Sequence, residues 1–374
     1  MSLSSGLLPS SLSRALAACG HTDLTPIQRA VADAPASTRD LIVTAPTGAG
    51  KTVAVGIAMA MVLLAECFRN VEGAGPVGLV IAPTRDLAGQ ICGELRRFLA
   101  EFGLSVLCLT GGRGRALEQA RLAEGTSVVV ATPGRLRDHL RSGAFDPSGL
   151  RVVVLDEADD LVAGGFEADL RPLLAALPSG VRRHLCSATL TPEMSNLSRR
   201  VQAAPLLLRA AAPKGFARAN RVRTIAVSRR GGDAILARLI AESGALQTLI
   251  FCNRRSEVAR LSDWLGAQGY AVVALSGELS RSERRAALTA FRSGDASVCV
   301  ATDLVSRGLV FPGLELVINA DLPFSPQSLV HRCGRRALDG RAVLLVPHGR
   351  RVRAERMAER AGLILDWDRS GRAR

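Results

Sequence analysis

The chain predicts two tandem α/β domains, each a parallel β-sheet flanked by helices, on three observations. Short apolar, β-branched runs alternate with helix-period segments along all 374 residues. The runs fall into two series, separated by an aperiodic stretch from Leu206 to Asn220. Residues able to do chemistry follow directly on the ends of several runs, where ligands of open parallel sheets bind.

The first series of expected strands is 41–44, 77–82, 104–109, 127–131, 151–155 and 184–187. The second is 221–227, 247–252, 271–275, 297–301, 315–319 and 342–346. Leu7 to Ala18 has the spacing of a first helix. Val53 to Leu64 is apolar on all sides but too short to span a bilayer, so it predicts a buried helix and no membrane partner. The interval Ala210-Ala211-Ala212-Pro213-Lys214-Gly215 sets the expected division: a domain over 1–208, a linker over 209–220 and a domain over 221–374. Near the end, Gly349 to Arg360 reads as an arginine-rich helix with a solvated face, RNA contact being the alternative.

A net charge of +14 favours a polyanionic partner, although a bias toward Arg, Ala and Gly explains the excess equally well. Lys51 and Lys214 are the only lysines. The eight cysteines contain no C-x-x-C pair, which argues against zinc and for a reducing compartment. Cys252 and Cys299 fall in expected core strands. Residues 1–20 hold no acidic residue, so a mitochondrial address is the alternative to a cytoplasmic or other reducing location. Helical spacing makes a structural role the preferred reading of that segment.

The apolar strand Leu41-Ile42-Val43-Thr44 runs into Ala45-Pro46-Thr47-Gly48-Ala49-Gly50-Lys51-Thr52 and then into a helix. Such a loop is a phosphate cradle: its N–H groups and the helix N-terminus face the phosphates, Lys51 meets the β/γ oxygens and the Thr52 hydroxyl reaches Mg²⁺. About a hundred residues on, Arg151-Val152-Val153-Val154-Leu155 ends in Asp156-Glu157-Ala158-Asp159, which delivers paired carboxylates to the same sheet edge. Together the two segments describe a nucleoside triphosphatase.

Further strings stand in a fixed order: Thr25-Pro26-Ile27-Gln28, Pro83-Thr84-Arg85-Asp86-Leu87-Ala88, Gly111-Gly112, Thr132-Pro133-Gly134-Arg135 and Ser187-Ala188-Thr189. The second half adds Leu249-Ile250-Phe251-Cys252-Asn253, Ala301-Thr302-Asp303 with Arg307-Gly308, and His331-Arg332-Cys333-Gly334-Arg335. With these the chain resembles the DEAD-box RNA helicases over nearly its whole length. The resemblance implies two RecA-like domains, ATP and Mg²⁺ as cofactors, and RNA held through its backbone without sequence readout. A monomer, acting alone or within a ribonucleoprotein or ribosome-assembly complex, is the expected form.

By the same resemblance, Thr25 and Gln28 would read adenine. Thr47, Gly48, Ala49, Gly50, Lys51 and Thr52 would hold phosphate, with Asp156 and Thr52 toward Mg²⁺. Glu157 would activate the attacking water and Arg335 would be an arginine finger. Asp159, Ser187 and Thr189 would link nucleotide state to closure. Thr84, Arg85, Gly112, Thr132, Arg135, Asn253, Arg284 and Thr302 would contact RNA.

Several positions depart from the family pattern. Leu338 stands where a second arginine is usual, Val310 where a carboxylate meets the ATP ribose, and Arg281 where a glutamine precedes Arg284. Ser276-Gly277-Glu278 replaces His-Gly-Asp, Ala45 replaces the first loop glycine, and Leu3 takes the place of an adenine-stacking aromatic. Two functions follow: an RNA-stimulated ATPase that unwinds locally, or a hydrolysis-impaired, ATP-gated RNA clamp or assembly factor. A DNA translocase on the same core has less support, because the Thr25-Pro26-Ile27-Gln28, Thr132-Pro133-Gly134-Arg135 and Asp-Glu-Ala-Asp strings favour RNA.

Overall fold

The computed structural model describes residues 8–45, 49–65, 75–112, 114–209, 221–228, 231–277, 279–303, 314–335 and 340–368. Leu3, Thr47, Gly48, Glu278, Arg307, Gly308, Val310, Leu338 and linker residues 210–220 therefore lie outside the described residues. The chain divides into two compact units, Met1–Ala211 and Ala212–Arg374.

Unit one is a parallel sheet of seven strands. They are β1 (Leu41–Thr44), β2 (Gly78–Ile81), β3 (Val106–Leu109), β4 (Val128–Ala131), β5 (Val152–Leu155), β6 (Arg182–Ser187) and β7 (Leu206–Arg209). Their order is β3-β4-β2-β5-β6-β1-β7. Because both faces are covered by helices, the inner strands are apolar without alternation. Their side chains still divide by parity: Val80, Val130, Val152 and Val154 enter one core, while Leu79, Ile81, Val129 and Leu155 enter the other. Helix Lys51–Ala65 is buried along most of its length, as its all-round apolarity requires.

Unit two repeats the plan with β8 (Arg221–Val227), β9 (Thr248–Phe251), β10 (Val272–Leu275), β11 (Val298–Ala301), β12 (Leu316–Asn319), β13 (Arg341–Pro347) and β14 (Ile364–Trp367). Its order is β10-β11-β9-β12-β13-β8-β14, the first sheet's order with every number raised by seven. Two parallel sheets flanked by helices are the fold class expected from the sequence.

Two strands were not expected. β7 occupies the start of the stretch read as aperiodic, and pairs with β1 from Leu41↔Leu206 to Thr44↔Arg209. β14 pairs with β8 beyond the arginine-rich helix, which runs Arg351–Ala361. Both are edge strands and only half covered: β7 is three leucines closed by Arg209, and β14 breaks its apolar residues with Asp366. β14 is fixed by charge instead: Arg221 donates to both Asp366 carboxylate oxygens at 2.7 and 2.6 Å. The arginine-rich helix turns Ala354, Met357 and Ala358 inward, and the Arg351 guanidinium lies 4.5 Å from the Trp367 ring centre.

Among the described residues, the cysteines are free and all but Cys19 are buried. No helix among those residues is long and apolar enough to cross a membrane.

Candidate active site

In unit one the strand order makes β5, β6 and β1 neighbours, so three loops meet at their carboxyl ends. After β1 comes the glycine loop, after β5 Asp156 and Glu157, and β6 ends in Ser187. Lys51 opens its helix and is buried, its Nζ donating to the Ala45 carbonyl at 2.7 Å. Helix Pro26–Asp33 leans on this loop. The Thr25 hydroxyl donates to the Ala49 carbonyl at 2.9 Å, and the Gln28 amide donates to the Gly50 carbonyl at 3.2 Å. Gln28 Oε1 accepts from the Thr25 N–H at 2.9 Å. The residues expected to read the base thus also clasp the phosphate loop. Gly50 is required there: its φ is +87°, and a Cβ would come within 2.4 Å of the Gln28 amide nitrogen.

Asp156 and Glu157 are both buried. Burial, then the Glu157 charge, push the Asp156 carboxyl up to about 7, while Lys51 pulls it down. Glu157 has φ +46° and ψ +53°, a left-handed backbone that a non-glycine residue adopts at a cost of about 1–3 kcal/mol. Strain and adjacent buried carboxylates at one strand end mark a site built for a ligand. The donors suit Mg²⁺: one or two carboxylates and a threonine hydroxyl leave room for phosphate oxygens and water. No cluster of three or more metal-ligating side chains occurs among the described residues.

Asp159 extends the site. Its carboxylate accepts from the Thr189 hydroxyl at 2.8 Å, and the Ser187 hydroxyl donates to the Thr189 carbonyl at 2.5 Å. The third carboxylate of the strand-end motif is therefore tied to the loop after β6.

The residues expected to contact RNA in this unit gather at the ends of the other three neighbours, β3, β4 and β2. Thr84 caps helix Arg85–Ala100, accepting from the Leu87 N–H at 3.3 Å. The Arg85 guanidinium lies over the turn after β3, where a Cβ on Gly111 would meet Arg85 Nη2 at 2.7 Å and Gly112 has φ +84°. Thr132 caps helix Pro133–Arg141. Arg135 pairs at 2.6 Å with Glu118, a buried residue that sequence reasoning missed.

In unit two, Asn253 and the backbone N–H of Arg335 bond to a residue to which the sequence reading gave no role, Arg332. Its side chain is 1% exposed. It donates to both Asp303 carboxylate oxygens at 2.5 and 2.9 Å and to Asn253 Oδ1 at 2.8 Å. It also stacks 5.3 Å from the centre of Phe251. Asn253 is further held by the Asp321 carboxylate, which accepts its N–H at 2.9 Å, and by the Leu322 carbonyl, which accepts from Nδ2 at 2.9 Å. Thr302 is buried, its N–H donating to the Leu275 carbonyl at 3.3 Å. Arg335 is buried just beyond helix Pro326–Cys333. Arg284 is half-buried in the first turn of helix Arg281–Ser293. The signal for Arg332 was its place one turn after Leu329, on the buried side of helix Pro326–Cys333. Glu118, on a helix that reads as solvent-facing, gave none.

A strand-end carboxylate pair beside a glycine loop ending in lysine and threonine defines a P-loop nucleotide-binding unit, here followed by a second unit of the same strand order. Comparison with known proteins specifies the family. Residues 25–197 match the profile described as DEAD/DEAH box helicase, and residues 233–338 match the helicase conserved C-terminal domain. The chain is 34% identical over 349 residues to the Escherichia coli ATP-dependent RNA helicase DbpA, covering 93% of this chain and 74% of that protein. It is 35% identical over 353 residues to the rice DEAD-box ATP-dependent RNA helicase 53, covering 92% of this chain but only 57% of that one. The chain belongs to the DEAD-box family of ATP-dependent RNA helicases.

Solved structures agree on the fold. Saccharomyces cerevisiae Dbp5, bound to RNA and ADP BeF3, superposes with a TM-score of 0.83 at 22% identity, over 96% of this chain and 94% of Dbp5. A DEAD box protein from Methanococcus jannaschii is 26% identical over 97% of each chain, with a TM-score of 0.56.

Proposed function

We propose that the chain is an RNA-stimulated ATPase that separates short RNA duplexes locally or remodels ribonucleoprotein, with ribosome assembly as a setting. The observation that carries this reading is the buried Asp156–Glu157 pair beside Lys51. Lys51 and the loop N–H groups of Thr47, Gly48, Ala49 and Gly50 hold the phosphates, and Thr25 and Gln28 meet the adenine. Thr52 and Asp156 hold Mg²⁺, which neutralises charge at the β/γ oxygens when bound. Glu157 orients the attacking water and takes its proton. Arg335 acts as an arginine finger on the transferring phosphoryl, and tight RNA binding depends on ATP. Thr84, Arg85, Gly112, Thr132, Arg135, Asn253, Arg284 and Thr302 grip phosphate and 2′-OH, so binding is indifferent to base identity. Dbp5 was solved with RNA, and Mss116p with single-stranded RNA and AMP-PNP, which supports RNA as the partner. The buried free cysteines suit a cytoplasmic or other reducing compartment.

A second reading, an ATP-gated clamp with little turnover, is favoured by Leu338 and Val310 at positions where the family carries an arginine and a carboxylate. Single-turnover ATP hydrolysis with and without RNA separates the two. RNA-stimulated hydrolysis that Glu157→Gln removes, with ATP-dependent RNA binding retained, supports the enzyme. Firm ATP-gated binding without hydrolysis selects the clamp. Leu338→Arg then raises the rate by about five- to 150-fold if the missing finger is the cause.

A further inference from the structure

We infer that Glu118 is a positioning residue for the RNA face of unit one, acting through Arg135. The inference rests on the reading of Arg135 as an RNA contact. Glu118 stands on helix Arg115–Ala123, which follows the Gly111-Gly112 turn. Arg135 and His139 stand one turn apart on helix Pro133–Arg141, which follows β4. The Glu118 carboxylate joins the two helices. Oε2 accepts from Arg135 Nε at 2.6 Å and lies 2.8 Å from His139 Nε2, while Oε1 lies 3.4 Å from the Thr110 N–H. His139 is fully buried and the Glu118 side chain is 4% exposed, against 13% for Arg135.

A buried carboxylate holding a partly exposed guanidinium by its Nε fixes the plane of that group. Arginine grips phosphate through a planar fork, so the plane decides whether a phosphate is met by two N–H groups or one. The same carboxylate ties Arg135 to the backbone at Thr110, one residue before the Gly111-Gly112 turn. Glu118 therefore holds the loops after β3 and β4, both on the RNA side, in one register.

Charge alone predicts the opposite outcome, which makes the inference testable. Glu118→Gln removes a negative charge from a surface that meets a polyanion, so a purely electrostatic role would tighten RNA binding and steepen its salt dependence. A positioning role weakens it. The measurement is the affinity of the full chain for a short uridine-only RNA with AMP-PNP and Mg²⁺, for wild type, Glu118→Gln, Arg135→Ala and the double variant. Glu118→Gln is expected to weaken binding about five- to tenfold, and to have no further effect once Arg135 is alanine. Glu118→Asp, which keeps the charge but withdraws the carboxylate, is expected to weaken binding similarly and serves if the glutamine variant does not fold. Unchanged or tighter binding, or losses that simply add, overturns the inference while leaving Arg135 an RNA contact. An Arg135→Ala protein that binds RNA as wild type overturns the reading of Arg135, and the inference falls with it.

Discussion

The two units share one strand order and differ in how the carboxyl edge of each sheet handles charge. Unit one buries two adjacent carboxylates, one of them on a strained glutamate, beside a single lysine. Unit two buries an arginine whose fork is answered by Asp303 and Asn253 and whose face is covered by Phe251. The first edge sets like charges side by side, which raises the Asp156 carboxyl; the second sets an arginine against a carboxylate. The same scaffold therefore does two jobs. One edge crowds two carboxylates beside Lys51, and the other holds Asn253, Asp303 and Arg332 as one piece.

The largest effect that this contrast predicts is on the self-compensated edge. Arg332→Ala leaves Asp303 and Asn253 without their shared donor, and breaking such a buried pair costs about 3–5 kcal/mol. Urea unfolding of the full chain should show this loss, and Arg332→Lys should restore only part of it, since an ammonium cannot span both carboxylate oxygens and Asn253 in one plane. An Arg332→Ala chain as stable as wild type would remove the contrast.

Lys51→Ala tests the other edge. ATP affinity should fall about 100-fold, the scale of losing a charge-assisted contact in a buried site. Circular dichroism should be unchanged. Titration with a fluorescent ATP analogue reads the loss, and wild-type affinity in a folded variant would rule out the phosphate site.

Asp156→Asn sharpens the comparison, because its sign is opposite to that of Arg332→Ala. Replacing one of two adjacent buried carboxylates by an amide relieves repulsion and desolvation, so the ligand-free chain should gain about 1–2 kcal/mol as it loses hydrolysis. Thermal melts without nucleotide measure the gain. A destabilised Asp156→Asn chain would mean that unit one already compensates the pair.

What the sequence made legible follows from the same physics. Central strands such as Val152–Leu155 are buried on both faces and sit in apolar runs, whereas the edge strands are half-wet: Leu206–Arg209 is three leucines closed by an arginine, and Asp366 breaks Ile364–Trp367. Lys51 and Asp156 act next to strand ends and could be found locally. The Arg332–Asp303 and Arg135–Glu118 pairs join residues 29 and 17 apart, so only the fold brings them together.

A pH-dependent effect is predicted for a histidine buried in the sheet of unit one. His184, in β6, accepts the Leu41 N–H on Nδ1 at 3.2 Å, which fixes its proton on Nε2, and Nε2 has no hydrogen-bond partner among the described residues. Burial, aided by Arg182, lowers its pKa from 6.5 to about 3. The unfolded chain therefore takes up a proton below about pH 6.5 that the folded chain refuses. Stability is unaffected by this group above that pH and is lost as the pH falls toward 3, by about 1.4 kcal/mol for each unit well below 6.5. His184→Asn keeps an acceptor for Leu41 but cannot ionise. Its urea midpoints between pH 7 and pH 5 should fall less steeply than those of wild type, even if the smaller side chain lowers all of them. Equal slopes would mean that the histidine is protonated in the folded sheet, and that unit one accommodates a buried cation its strand partners do not provide for.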